Sequence, residues 1–218
     1  IFRSAIITGM YQTSIGAHHH RSGRGTLKIQ LPEPVVPAPR LFQAGGYHVS
    51  NVSFADFMRP AAELRKNAKV KTAKTDYNFD PEGVWDFRSS KPAPWRQRRD
   101  GQPFFTMVTI GGTHEGPVNS PQRYQQAVAG LPQDEFHDPD KVKVPPYYPD
   151  TPEVREIWAH CHDLITVMDR KVGNLIQQLK DDGLYEDTIV FFFSDHGFGL
   201  PRHKRWLNDS GLHVPLII

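Results

Sequence analysis

The chain holds a single cysteine, Cys161, so no disulfide can close within it. Neither sign of charge dominates: 26 basic and 24 acidic residues give +2, which removes any global pull toward nucleic acid or an anionic membrane surface. No apolar run approaches the roughly 18 residues that a membrane-crossing helix needs, and the mean hydropathy is −0.52. No signal peptide is visible, but the chain opens on Ile1 instead of Met, so this says nothing about secretion. Internal repeats and sustained low-complexity tracts are also missing. What remains is a chain of 218 residues, long enough for one good core, cut into short elements by 17 glycines and 19 prolines.

Residues 1–9 (IFRSAIITG) predict a short helix stopped by Gly9, and residues 11–26, polar and rich in His and Gly, predict a loop. A helical turn is expected near 41–44, then Gly45 and Gly46 before a strand at 47–50. Residues 54–71 form a basic amphipathic insertion, and 103–110 (PFFTMVTI) a second buried strand. The Pro/Asp-rich stretch 132–152 predicts a surface loop. Over 153–180, Ile157, Cys161, Leu164, Ile165, Met168, Val172, Leu175, Ile176 and Leu179 recur at spacings of three and four, one apolar stripe of a long helix ended by Asp182 and Gly183. Strand, helix and strand in this order imply a parallel α/β sheet with helices on its faces.

The chemistry concentrates near the end of the chain. The apolar run from Ile189 to Phe193 has the composition of a buried parallel strand and breaks at Ser194 into Asp195, His196 and Gly197. Ligands gather at the carboxyl ends of strands in open α/β sheets. A carboxylate and an imidazole side by side there make a metal corner, with Gly197 letting the backbone turn sharply beneath. Lys204 follows as a cation available to an anionic substrate. These features outline a metal-assisted hydrolase acting on an oxyanion ester.

The same residues resemble the second metal-ligand block of the sulfatases, within the alkaline phosphatase superfamily. Lys204 stands four residues before Asn208, and Gly211, Leu212, His213, Val214 and Pro215 follow as in that block. The resemblance runs from Arg3 to the last residue and is strongest to heparan N-sulfatase-like and bacterial sulfatases. It implies an alkaline-phosphatase-like α/β fold, a mostly parallel sheet flanked by helices and incomplete at both ends. It also implies a sulfuric ester hydrolase using calcium and a formylglycine nucleophile. Arg3, Thr8 and Gly9 match the nucleophile motif, which puts the modified residue two positions before Ile1, with Ile1 where Pro or Ala belongs. By the resemblance, Arg3 orients the nucleophile, Lys74, His114 (in GGTHEGP) and Lys204 hold the sulfate, and Asp195 and His196 bind the ion. Asp76 occupies a position where the family often has His. Residues 1–218 would be a partial catalytic domain, lacking the amino-terminal Asp-Asp strand and a carboxy-terminal subdomain, and inactive alone. The substrate class implied is a sulfated small molecule or polysaccharide, with no nucleic acid or membrane partner and a periplasmic or secreted location.

Other polar groups are secondary. One histidine of the 18–20 run, His18, is a candidate to reach substrate, and His213 could sit near the sulfate. Arg96, Arg98 and Arg99 are expected to be solvated, and His160 and His162 to lie on the long helix's surface. Two further functions fit the same residues: a phosphomonoesterase, phosphodiesterase or phosphonate hydrolase of the superfamily, and a non-catalytic sulfated-glycan-binding relative.

Overall fold

The computed structural model describes residues 2–18, 29–57, 77–86 and 94–218. Lys74 and most of the 54–71 insertion lie outside the described residues. The chain forms two compact units, residues 1–110 and 111–218.

In the first unit, helix α1 (Phe2–Thr8) ends at Gly9, whose φ of 66° only glycine adopts cheaply. Ser4, fully buried on α1, accepts the Asn78 backbone N–H at 3.0 Å and ties the helix to the core. Helix α2 (Ala38–Ala44) starts with Pro39 in its first turn and leads through Gly45 and Gly46 into strand β1 (His48–Ser53). Strand β2 (Phe104–Thr109) pairs with β1 in parallel, His48 opposite Phe104 through Ser53 opposite Thr109. The expected strands are therefore present, β1 running further than 47–50 and β2 only half-buried. Ile7, Val49, Tyr77, Phe79, Val84 and Trp85 form the core, and Phe42 stacks on Phe105 at 4.4 Å. Asp86 pins β1 by accepting from the Val49 N–H at 3.0 Å and from Gln43 at 2.7 Å. Arg98 is less free than expected: it donates to the Trp95 carbonyl at 2.8 Å and lies over the Phe104 ring. Helix α3 (Phe54–Phe57) follows β1 directly.

The second unit is built on its long helix. Helix α4 (Glu115–Val118) and helix α5 (Pro121–Val128) precede two single 3-10 turns, Gln133–Glu135 and Pro139–Lys141, within the expected surface loop. Helix α6 (Pro152–Asp181) spans 30 residues. Thr151 caps it by accepting the Val154 N–H, Pro152 fits the first turn, and Gly183 at φ 66° follows its end. Two clusters pack on it: Tyr124, Val128 and Leu131 around Leu164, and Val142 around Trp158, Ala159 and Cys161, with Phe198 and Leu200 alongside. Within the expected stripe Cys161, Leu164 and Leu179 are buried, but Ile157 and Ile165 are exposed. Trp158, Ala159 and Asp163 are buried instead. His160 and His162 are not simple surface groups: His160 stacks on Tyr124 with centroids 3.7 Å apart, and His162 meets His137 and Trp158 edge-on.

The run 189–193 departs from its reading as a buried parallel strand. Only Phe192–Phe193 (β3) pairs, and it does so antiparallel to Leu216–Ile217 (β4), just beyond helix α7 (Asp209–Leu212). A parallel strand is buried when both faces are covered. Here Ile189 is 74% and Phe191 58% exposed, so that cover is missing among the described residues.

Candidate active site

Four of the residues singled out from sequence meet in the second unit. His114 occupies the position just before α4 and Lys204 lies ninety residues on, yet Lys204 Nζ is 2.7 Å from His114 Nε2. An ammonium can only donate, so Nε2 is the acceptor and the His114 ring proton sits on Nδ1. The His114 ring also faces His196 edge-on, centroids 5.4 Å apart. His196 follows β3 with Asp195, and its Nε2 lies 3.6 Å from Asp195 Oδ1.

The loop 197–206 places Lys204 by close packing. Phe198 meets the Trp158 ring of α6 edge-on at 5.8 Å. Lys204 N–H donates to the Phe198 carbonyl at 2.9 Å, and Tyr148 donates its hydroxyl to the Pro201 carbonyl. Gly197 is needed here for space instead of for a left-handed turn: a Cβ would stand 2.5 Å from the Ser210 carbonyl oxygen. Arg202 and Arg205, in contrast, adopt φ of 67° and 73°. Left-handed backbone at a non-glycine residue costs on the order of 1 kcal/mol and marks a loop held by its surroundings. Those surroundings are visible. Ser210 donates to the Arg202 carbonyl at 2.7 Å, and the Arg202 guanidinium lies 4.7 Å from the Tyr147 ring centre.

Glu115, which the sequence did not single out, places a negative charge beside Lys204. Its carboxylate is 3.3 Å from Lys204 Nζ and 3.0 Å from the Arg205 guanidinium. Partial burial pushes the Glu115 carboxyl up, but the Lys204 hydrogen bond and the charges of Lys204, Arg205 and His114 outweigh it and hold it below the usual range. A cleft of about 220 Å³ opens beside this group, lined by Glu115, Lys204, Arg205 and Trp206. The cleft offers the Lys204 and Arg205 cations to an anionic group.

The metal corner is tested by its donor chemistry. His196 Nδ1 is 2.7 Å from the Gly197 carbonyl, which requires the proton on Nδ1. That leaves the Nε2 lone pair on the side of Asp195, the arrangement a metal-ligating histidine needs. A carboxylate oxygen suits calcium, whereas an imidazole nitrogen suits a broader set of divalent ions. Among the described residues no group of three or more His, Cys, Asp or Glu is placed to hold an ion, so this corner supplies two donors.

His213 is on the surface, 3.6 Å from Asp209 across α7. Arg3 (on α1) and His18, which is exposed, belong to the first unit. No helix among the described residues is long and apolar enough to cross a membrane.

Comparison with known proteins follows the same lines. The family model described as "Sulfatase" matches residues 2–218. An ulvan-active sulfatase of Formosa agariphila is 37% identical over 99% of this chain, which covers 38% of that enzyme. Human N-sulphoglucosamine sulphohydrolase is 30% identical over 56% of this chain, covering 26% of that enzyme. The chain thus spans well under half the length of these curated relatives. Among solved structures, the phosphonate monoester hydrolase SpPMH from Silicibacter pomeroyi aligns with a TM-score of 0.56 and 17% identity, over 99% of this chain and 57% of that one. That likeness establishes the alkaline-phosphatase-like fold.

Proposed function

The chain belongs to the sulfatase family, and from that premise we propose that the whole protein is a sulfuric ester hydrolase removing sulfate from a sulfated sugar or aryl ester. The observation that carries this reading is Lys204 Nζ on His114 Nε2 at 2.7 Å, beside His196 and at the edge of an open cleft. A lysine ammonium and an imidazole there can take two oxygens of a sulfate group, Lys204 as a point charge and His114 through Nδ1–H. The ammonium has three protons, so Lys204 can meet the sulfate while His114 Nε2 still accepts one of them, and His114 Nδ1–H can donate a proton toward the leaving oxygen.

The family generally uses a divalent metal ion and formylglycine. In our reading Asp195 and His196 hold the ion, calcium, through a carboxylate oxygen and Nε2. A cation held by these two residues would supply polarisation of the ester oxygens, and formylglycine would supply the nucleophile. Arg3 orients that nucleophile, Lys74 adds positive charge at the sulfate, and His18 and His213 contact the rest of the substrate. Residues 1–218 make up part of the catalytic domain. The sugars in the relatives' names support a sulfated polysaccharide or oligosaccharide as substrate, and a periplasmic or secreted location is part of the same reading.

Parallel assays of the whole protein on 4-nitrophenyl sulfate and 4-nitrophenyl phosphate test the reading. Sulfate hydrolysis that disappears in Asp195→Ala, together with loss of the calcium-induced rise in melting temperature, is the expected result. A second reading, phosphonate or phosphate ester hydrolysis, draws on the fold shared with the phosphonate monoester hydrolase and on His196 in the ligand pair. A strong preference for phosphate would install it in place of the first.

A further inference from the structure

We propose that Glu115 is a positioning residue that holds the Lys204 ammonium on His114, with Arg205 fixing the carboxylate; this rests on the reading of His114 and Lys204 as the groups that meet the sulfate.

Lysine carries its charge on a flexible four-carbon stem and loses considerable rotamer freedom when fixed. A neutral imidazole acceptor alone is a weak anchor for it. Glu115 adds the missing one, since its Oε2 lies 3.3 Å from Lys204 Nζ. The carboxylate is itself held. One Arg205 nitrogen donates to both oxygens, at 3.2 Å to Oε1 and 3.0 Å to Oε2, so the plane of the carboxylate is set before Lys204 shares Oε2.

Two backbone features bring these groups together. A Cβ at Gly199 would fall 2.2 Å from Glu115 Cβ and 2.5 Å from its Cα, so the lysine loop lies flush on residue 115 because Gly199 has no side chain. Arg205 accepts a left-handed φ of 73°, and in that conformation its guanidinium reaches Glu115. Lys204 is also the most sheltered of the three, its side chain 15% exposed against 71% for Arg205. Two cations against one carboxylate leave a single net positive charge facing the cleft, which still favours an anion. A surface ion pair of no consequence would need neither the glycine nor the left-handed arginine.

The test uses the whole protein and a double-mutant cycle. Glu115→Gln keeps the shape and removes the charge. We expect it to lower kcat/KM for 4-nitrophenyl sulfate about tenfold in the Lys204 background and to cause no further loss in Lys204→Ala. Additive losses, or an unchanged kcat/KM in Glu115→Gln, overturn the proposal. A readout independent of turnover is the ¹⁵N-resolved ammonium signal of Lys204. It is expected to exchange slowly and to show contact with the His114 ring in the wild type, and to vanish in Glu115→Gln. An ammonium signal indifferent to the substitution also overturns the proposal. Inactivity of the wild type on aryl sulfate with a Glu115-dependent ammonium signal would sink the sulfatase reading and leave the positioning role standing.

Discussion

Asp163 and Glu115 each gather several donors within residues 111–218, but in opposite surroundings. Asp163 is 1% exposed on α6 and accepts from the Tyr124 hydroxyl at 2.5 Å, the His137 backbone N–H at 2.8 Å and the His137 ring at 2.8 Å. Its partners come from α5 and from the loop beyond Leu131, so one side chain joins three segments. Burial and the Asp163 charge both push the Tyr124 hydroxyl's pKa up, which keeps it a donor at any ordinary pH. Glu115 is half-buried, and its partners are two long cations on a single loop. A buried carboxylate satisfied by short, rigid donors holds a fold together, whereas an open one satisfied by flexible cations fixes the cations themselves. The contrast implies that loss of Asp163 costs stability and loss of Glu115 costs function.

The largest expected effect is at Asp163. Asp163→Ala strands the buried Tyr124 hydroxyl and the part-buried His137 N–H and is expected to cost about 2–6 kcal/mol, at about 1–3 kcal/mol for each donor left unsatisfied. Urea unfolding of the whole protein measures this directly. A loss no larger than that of an ordinary surface substitution would erase the distinction between the two carboxylates. Tyr124→Phe removes one hydrogen bond to a charged acceptor and is expected to cost about 1.5–3 kcal/mol. The same melt on Glu115→Gln is expected to show no change beyond that of other surface positions.

The sequence made the helix of this comparison legible and hid both carboxylates. A run of 30 helical residues with an apolar repeat and a Thr-Pro start is unambiguous, so α6 was expected nearly end to end. Its buried face was not, because hydrophobic periodicity has no way to weigh Asp163, a charge that is buried through its partners. Ile157 and Ile165 satisfied the pattern and still face solvent. In the site, His114 and Lys204 were legible only through family motifs, as nothing local links residues ninety apart. Glu115 and Arg205 each sit beside a recognised residue and look like ordinary solvated charges. Their roles depend on the left-handed backbone at Arg205 and on the missing Cβ at Gly199, which composition does not reveal. The strand expected at 189–193 shrinks to Phe192–Phe193 among the described residues, because apolar composition describes a place in a covered sheet.

The smallest expected effect separates the two regions by pH. His162, beside the Asp163 network, and His203, enclosed by Tyr148, Trp158 and Phe198, both have pKa values lowered by burial; His137 adds to the effect on His162, while Asp163 opposes it. A base whose pKa is lower in the folded chain than in the unfolded one binds fewer protons when folded. Its contribution to stability is therefore complete above the unfolded value of about 6.5 and is lost as pH falls through the folded value. Glu115 follows the same sign in a lower window, since its depressed carboxyl pKa makes its contribution full above about 4.5 and lost only as pH drops below that. Between neutrality and pH 5, then, acid should weaken the helix-packed region and leave the Glu115 ion pairs intact. The melting temperature of the whole protein is expected to fall by a few degrees, about 2–4 °C, across that interval. His203→Gln, which keeps a polar group near Tyr147, should flatten part of the slope. Glu115→Gln should leave it unchanged, and a slope that followed Glu115 instead would mean that the open carboxylate, too, holds the fold.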